Sequence, residues 1–316
     1  MATSSLAVAQ LPCLLFLFLI ARAGAAGEVA VDIEGLEGDP EKNVRLTLGI
    51  VAAEGDLTAG EVERLHARAP EEIAFALEPF GYYRPTITGT LTEPEPGHFA
   101  ARYVIVPGPQ VHLRKVEVGL AGPGDGDSEL QEAVADFPLA AGDVLLHAGY
   151  ESGKNAIAFA AADNGYFDAA FDSTAILVDR DSALADIVIQ FSTGPRYRFG
   201  PAELHQDILD PRVLGGYIPF EEGEPYEVEK LLDLQSGLSA SPYFSRVEAK
   251  PMPERANGLE VPIEVDLEPR KTQRFDVGVG YGTDTGLRGS LDVELRRLNR
   301  RGHRAEGSIK ISQIEM

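Results

Sequence analysis

Positive charge is scarce in this sequence: 28 Lys and Arg stand against 50 Asp and Glu, a formal charge of −22 over 316 residues. A phosphate backbone is held by cations whose binding releases counterions, so nucleic acid is excluded as a partner. Cysteine is nearly absent, with Cys13 alone, which leaves neither a disulfide framework nor a Cys-based zinc site. The six histidines, His66, His98, His112, His147, His205 and His303, are scattered, and no HExxH pair is present. Long apolar runs are missing too. Leu11 to Ile20 spans ten residues, about half of a membrane-crossing helix, and small residues follow it from Ala21 to Gly27. Residues 1–26 therefore read as a secretory signal peptide, with small-x-small cleavage patterns at Ala21-Arg22-Ala23 and Ala23-Gly24-Ala25. Removing it would leave a mature chain without thiols, suited to an oxidising compartment.

Repetition organises what remains. Phe80-Gly81-Tyr82-Tyr83, Asn164-Gly165-Tyr166-Phe167 and Ser241-Pro242-Tyr243-Phe244 recur at steps of 84 and 77 residues. Each precedes an extended stretch, a turn, and an alternating strand that ends at Pro109, Pro195 or Pro269. Within the second repeat, residues 111–118 read as a strand and 128–137 as a helix opened by a Ser128 to Gln131 capping box. A second helix is expected over about residues 150–164, stopped by Gly165. Strands are expected at residues 166–178 and 186–193, with Ile187, Ile189 and Phe191 on one buried face. The first repeat matches, with a Thr58 to Glu61 box, an apolar face of Val62, Leu65, Ile73 and Leu77, and a kink at Pro70. The third places Pro225 in a first helical turn, followed by Val228, Leu231, Leu232 and Leu238. The order is strand, helix, helix, strand, strand, three times.

From Arg270 onward the composition changes. Residues 270–316 carry a net charge of +4, against −26 for residues 1–269. Phe275, Val277, Val279 and Tyr281 alternate with Asp276, Gly278 and Gly280, a turn is expected at residues 283–286, and a second alternating run follows from Leu287 to Arg296. Residues 299–302 read as another turn, and a third run begins at His303. Apolar-out, polar-in strands of ~10 residues joined by turns are the pattern of an outer-membrane barrel wall, although a two-sided soluble sheet shares it.

Enzymatic chemistry finds no footing here. Gly278 to Thr283 lacks the third glycine of a dinucleotide fingerprint and opens no helix. Asp125-Gly126-Asp127 and Asp179-Arg180-Asp181 lack an EF-hand ladder and read as turns, while Glu71-Glu72 and Glu221-Glu222 read as solvated faces. No catalytic residue, metal or cofactor is expected.

The three repeats, the Gly-Tyr-Tyr and Gly-Tyr-Phe elements, and the run Gly280 to Gly289 followed by Arg297 to His303 together resemble the TamA-like branch of the outer-membrane assembly family that carries POTRA domains before a barrel. The resemblance implies an α+β chain: a signal peptide at 1–26, POTRA (βααββ) domains at 27–109, 110–195 and 196–269, and the start of an antiparallel transmembrane β-barrel at 270–316. Family barrels have about sixteen strands, so three open strands imply a sequence cut short inside the barrel. It further implies a bacterial outer-membrane location with periplasmic N-terminal domains, a TamB-like inner-membrane-anchored partner, and unfolded β-barrel clients, autotransporters among them. Clients would add as strands along a seam formed by the first barrel strand, at Phe275, Val277, Gly278, Val279, Gly280 and Tyr281. The glycines of that strand have a second reading as room inside a crowded wall. The helix-to-strand junctions would fall at Gly81, Tyr82, Tyr83, Gly165, Tyr166, Phe167, Tyr243 and Phe244. Two other classes stay open: a two-partner secretion translocator, which typically has two POTRA units where this sequence has three repeats, and a soluble acidic periplasmic adaptor built from the repeats.

Overall fold

A computed structural model describes residues 28–53, 57–282 and 286–312. The leader, most of the expected 283–286 turn and the last four residues lie outside the described residues. The chain divides into two compact units, Met1–Glu78 with Tyr82–Pro109, and Pro79–Gly81 with Gln110–Met316. No helix among the described residues is long and apolar enough to cross a membrane.

In the first unit the elements run β1 (Glu28–Glu34), α1 (Asp39–Thr47), α2 (Gly49–Ala52), α3 (Ala59–Leu77), β2 (Thr86–Glu95) and β3 (His98–Val106). Strand β3 is central, parallel to β1 and antiparallel to β2. Its alternation decides the layering: Phe99, Ala101, Tyr103 and Ile105 are buried beneath the helices, while the intervening Arg102, Val104 and Val106 face water. Helix α3 answers with Val62, Leu65, Ala69, Ile73, Ala76 and Leu77, a stripe at helical spacing. Its capping box is formed as expected, with the Glu61 N–H donating to Thr58 and the Glu61 carboxylate receiving the Thr58 N–H. Pro70, where a kink is expected, lies inside a helix that runs on from Ala59 to Leu77 without ending there. The Glu72 carboxylate accepts the Gly49 N–H at 2.7 Å and satisfies a donor at the start of α2.

The same order of elements occurs twice in the second unit. First come β4 (His112–Ala121), α4 (Ser128–Ala135), α5 (His147–Asp163), β5 (Ala170–Asp179) and β6 (Leu184–Ser192). Then follow β7 (Arg198–His205), α6 (Pro211–Gly215), α7 (Val228–Ala240), β8 (Phe244–Pro251) and β9 (Glu260–Pro269). Both sheets keep the first unit's topology, with the last strand central, parallel to the first and antiparallel to the second. Leu130, Ile157, Ala161, Tyr166 and Phe191 are packed in one core, and Phe199, Leu234, Leu238, Phe244, Ile263 and Val265 in another.

Four local expectations change. Asp127, not Ser128, caps α4, accepting the Glu129 N–H, and Gln131 donates to the Asp125 carbonyl instead of closing a box. Residues 166–169 form a turn before β5, because the Tyr166 and Ala169 N–H groups bond back to Ala161 and Tyr166. Pro225 precedes α7 and sits opposite Arg198 in a β-bridge. Leu232 is 55% exposed, and Leu234 takes the core position between Leu231 and Leu238.

The second unit ends in an antiparallel meander of β10 (Gln273–Gly282), β11 (Gly286–Leu295) and β12 (Ala305–Ser312), in that spatial order. Register puts Phe275 opposite Val293, Val277 opposite Leu291 and Tyr281 opposite Leu287, while Leu291 meets Ile309 and Gly289 meets Ile311. All the apolar side chains thus share one face. Arg274, Asp276, Asp292, Glu294, Glu306 and Lys310 share the other.

Candidate functional site

The second unit holds Gly81, the second and third junctions and strand β10, while Tyr82 and Tyr83 belong to the first. Gly81 and Gly165 both adopt positive φ, +84° and +81°. The turn this allows aims each carbonyl at the chain just beyond the proline that ends the repeat, Pro109 or Pro195. The Gly81 carbonyl accepts from the Val111 N–H and the Gly165 carbonyl from the Tyr197 N–H, both at 2.8 Å. Each acceptor strand passes the bond on, with Leu145 donating to Val111 and Tyr226 donating to Tyr197. At the third junction, where Pro242 replaces the glycine, the Tyr243 carbonyl takes the N–H of Arg270 at 2.7 Å. The Tyr243 hydroxyl also donates to the Gly302 carbonyl in the turn between β11 and β12. Three repeats therefore make one kind of joint from backbone groups, and the last holds the base of the meander.

Tyr82 and Tyr83 are half-buried, Tyr82 against the core of the first unit. Tyr166 is buried and donates to the Asp127 carboxylate at 2.9 Å. Phe167 lies between the rings of Tyr197 and Tyr226, with centroids 5.5 and 4.9 Å away. Phe244 is fully buried at the start of β8. A Cβ on Gly165 would lie 2.8 Å from that of Tyr226, so the packing excludes any larger residue.

Arg196, which the sequence reading did not single out, stands between Asp127 at 3.6 Å and Glu227 at 3.7 Å and donates to the Tyr226 carbonyl. It lines a cleft of about 890 Å³ with Phe159, Asp163 and Glu229. Its Nε is buried without a hydrogen-bond partner among the described residues. The acidic partners are distant in sequence from Arg196, so only the fold unites them.

Burial, helped by the charge of Asp163, pushes the Tyr226 hydroxyl up to about 12, whereas an unfolded tyrosine ionises near 10. Between those values the unfolded chain binds fewer protons than the folded one, so stability falls as pH rises. Urea unfolding of the second unit is expected to be level up to about pH 9 and to weaken progressively from pH 10 to 12. In Tyr226→Phe the alkaline fall should be shallower, as followed by circular dichroism.

Glu203, His205 and Glu264 come close enough together on β7 and β9 for their ligand atoms to share an ion. Arg255 already occupies that position, bonding Glu203 at 2.7 Å and Glu264 at 3.0 Å, while His205 pairs with Asp266. A cation made by the chain itself fills the site.

Strand β10 is an edge among the described residues, and its ladder has a definite phase. The Arg296 N–H donates to the Thr272 carbonyl, which makes that couple a hydrogen-bonded pair of the antiparallel ladder. The register from Gln273–Leu295 to Gly282–Gly286 has no bulge, so even-numbered residues of β10 bond inward to β11. The odd-numbered Phe275, Val277, Val279 and Tyr281 turn their N–H and C=O groups to the open edge. Their side chains lie exposed on the apolar face, Val279 at 88%. Gly278 faces Ser290, whose hydroxyl would be 2.5 Å from an added Cβ, so there the glycine makes room. Gly280 has open space around it and no such duty.

Comparison with known proteins bears on both units. Residues 30–107 match the family described as POTRA domain, TamA domain 1, so the first unit is a POTRA domain of that type. BamA from Haemophilus ducreyi lacking POTRA domains 1–3 is similar in structure, with a TM-score of 0.52 at 18% identity over 63% of this chain and 37% of that one. BamA POTRA3–5 of Haemophilus influenzae gives 0.43 at 16% identity over 79% of this chain and 99% of that one. CdiB from Acinetobacter baumannii gives 0.38 at 12% identity, with 65% and 39% covered. The Haemophilus ducreyi likeness shows a shared α+β, strand-rich fold. The chain spans little more than a third of that protein's length.

Proposed function

We propose that this chain is the POTRA array and barrel entry of a TamA-like outer-membrane assembly factor, which helps autotransporter-type and other β-barrel clients to insert and fold. On this reading all three βααββ modules are POTRA domains standing in the periplasm, and β10 to β12 begin the barrel wall. One observation carries it: β10 offers the outward N–H and C=O groups of Phe275, Val277, Val279 and Tyr281 along an apolar, exposed edge. A client strand docking there gains main-chain hydrogen bonds that do not depend on its side chains. A TamB-like partner would dock on the array, and no nucleotide, metal or cofactor enters, the folding free energy of the client driving insertion.

A photo-cross-linking residue placed at Val279 in the full-length protein should trap client strands during insertion. The same residue at Gly280, whose backbone bonds inward, should trap far fewer. An inserted protein with no Val279 adducts would end the seam reading.

A further inference from the structure

Charge is distributed unequally along the meander. At the end where β11 leaves and β12 enters, the chain brings together Arg270, Lys271, Arg300, Arg301 and Arg304. Register sets their level: Gln273 pairs with Leu295 and Leu295 with Ala305, so residues before β10, after β11 and before β12 all emerge at the same end. Lys271, Arg300, Arg301 and Arg304 are exposed, and none of the five forms an ion pair among the described residues. By contrast, Arg274 pairs with Asp276 and Arg296 with Glu294. The acid beside the turn, Asp210, is engaged in capping α6 through the Arg212 N–H, and its own N–H donates to the Arg300 carbonyl. At the opposite end one cation, Arg288, stands level with Ser312, and the described terminal strand residues Tyr281, Gly282, Gly286, Leu287, Ile311 and Ser312 carry no charge.

The cationic end is fixed in place. The Arg300 carbonyl accepts from Asp210, the Gly302 carbonyl from Tyr243, and Arg297 donates to the Ile208 carbonyl. Only backbone groups of 300 and 302 are used, which leaves the side chains of Arg300, Arg301 and Arg304 free to point into their surroundings. Immediately above them begins the apolar face of Phe275, Val277, Val279, Leu291 and Ile309. Ten-residue strands rise ~33 Å, enough to cross the ~25 Å apolar band of an outer-membrane barrel when tilted.

We propose that this basic end is a docking surface for the phosphate head groups of anionic phospholipid. The inference rests on the barrel reading, since it needs the apolar face above the turn to meet hydrocarbon. Charge complementarity names the occupant: unpaired cations at the depth of the head groups, on a chain that is otherwise strongly acidic, concentrate anionic lipid over zwitterionic lipid. Each exposed Lys or Arg at an anionic surface favours it about fivefold, within a Debye length.

The test uses the full-length protein in phosphatidylcholine vesicles containing one-third phosphatidylglycerol, with a fluorophore on Leu298→Cys beside the turn and the unsubstituted protein as background. Bromine is carried by one lipid at a time, near the top of its chains, so quenching reports which lipid stands at the turn. The ratio of phosphatidylglycerol to phosphatidylcholine at the turn should exceed the bulk ratio about tenfold at low salt and be several-fold less at 0.5 M. It should fall toward the bulk ratio in R300Q/R301Q/R304Q and reach it when R270Q and K271Q are added. A second fluorophore on Val279→Cys should be quenched by each lipid in proportion to its bulk share. Quenching at Val279 with no head-group preference at Leu298 overturns the docking surface and leaves the barrel reading standing. Absence of quenching at both positions overturns the two together.

Discussion

Val277→Pro combined with Val279→Pro should cut client insertion by roughly tenfold to a hundredfold while leaving the β10–β11 pairing intact. Proline lacks an N–H, and at these two odd-numbered positions the missing donors are the ones directed at the open edge. An incoming strand would lose two hydrogen bonds, each worth about 0.5–1.5 kcal/mol net. Gly278→Pro supplies the contrast, for its N–H points at β11 and its loss breaks the internal ladder. Insertion of a barrel client into vesicles, followed by protease protection, measures the first effect. Heat-modifiable migration of the assembly protein itself measures the second. Equal insertion by the double variant and the unsubstituted protein would show that clients do not pair with this edge.

Gly35→Ala should be the most damaging small substitution in the first unit. Gly35 follows β1 with φ +91°, and an added Cβ would come within 2.0 Å of the Ile105 carbonyl oxygen at the centre of the sheet. That neighbour is backbone in a buried strand and cannot swing aside, so the turn or β3 must shift. A cost of about 3–5 kcal/mol is expected, which for a unit of this size lowers Tm by about 15–25 °C. Gly38→Ala provides the measure of φ alone. It has φ +71° and nothing within 4 Å, so about 1–2 kcal/mol is expected. Calorimetry, with hydrogen exchange identifying the transition of β3, separates the two. A similar loss in both variants would mean that the Ile105 contact relaxes easily.

What the sequence disclosed was whatever a short window determines. Alternation in the strand leading to Pro109 and in residues 187–191, the Thr58 box and the helix-ending Gly165 each depend on neighbours a few positions away, and each appears in the structure. Competing local solutions were less legible. Asp127 and Ser128 are both good N-cap residues, and the choice falls to whichever has extended φ and ψ where the chain leaves its turn; here Asp127 does. Leu232 and Leu234 are both apolar, and the start of α7 at Val228 rather than Pro225 sets which one faces inward. Nothing in the sequence could announce Arg196, whose partners Asp127 and Glu227 come from either side of the fold. The outward phase of β10 was equally hidden, because it depends on which residue of β11 receives each bond, not on the residue types in β10.

The open edge of β10 has a kinetic consequence for the cell. If β10 is the proposed seam, an edge that accepts any extended strand through backbone groups would also accept a second copy of itself. Capture of clients grows in proportion to the number of assembly molecules, whereas pairing between them grows with its square. On the proposed seam reading, raising expression beyond the supply of clients would convert working seams into mutually blocked pairs, and abundance, more than affinity, would set the useful output.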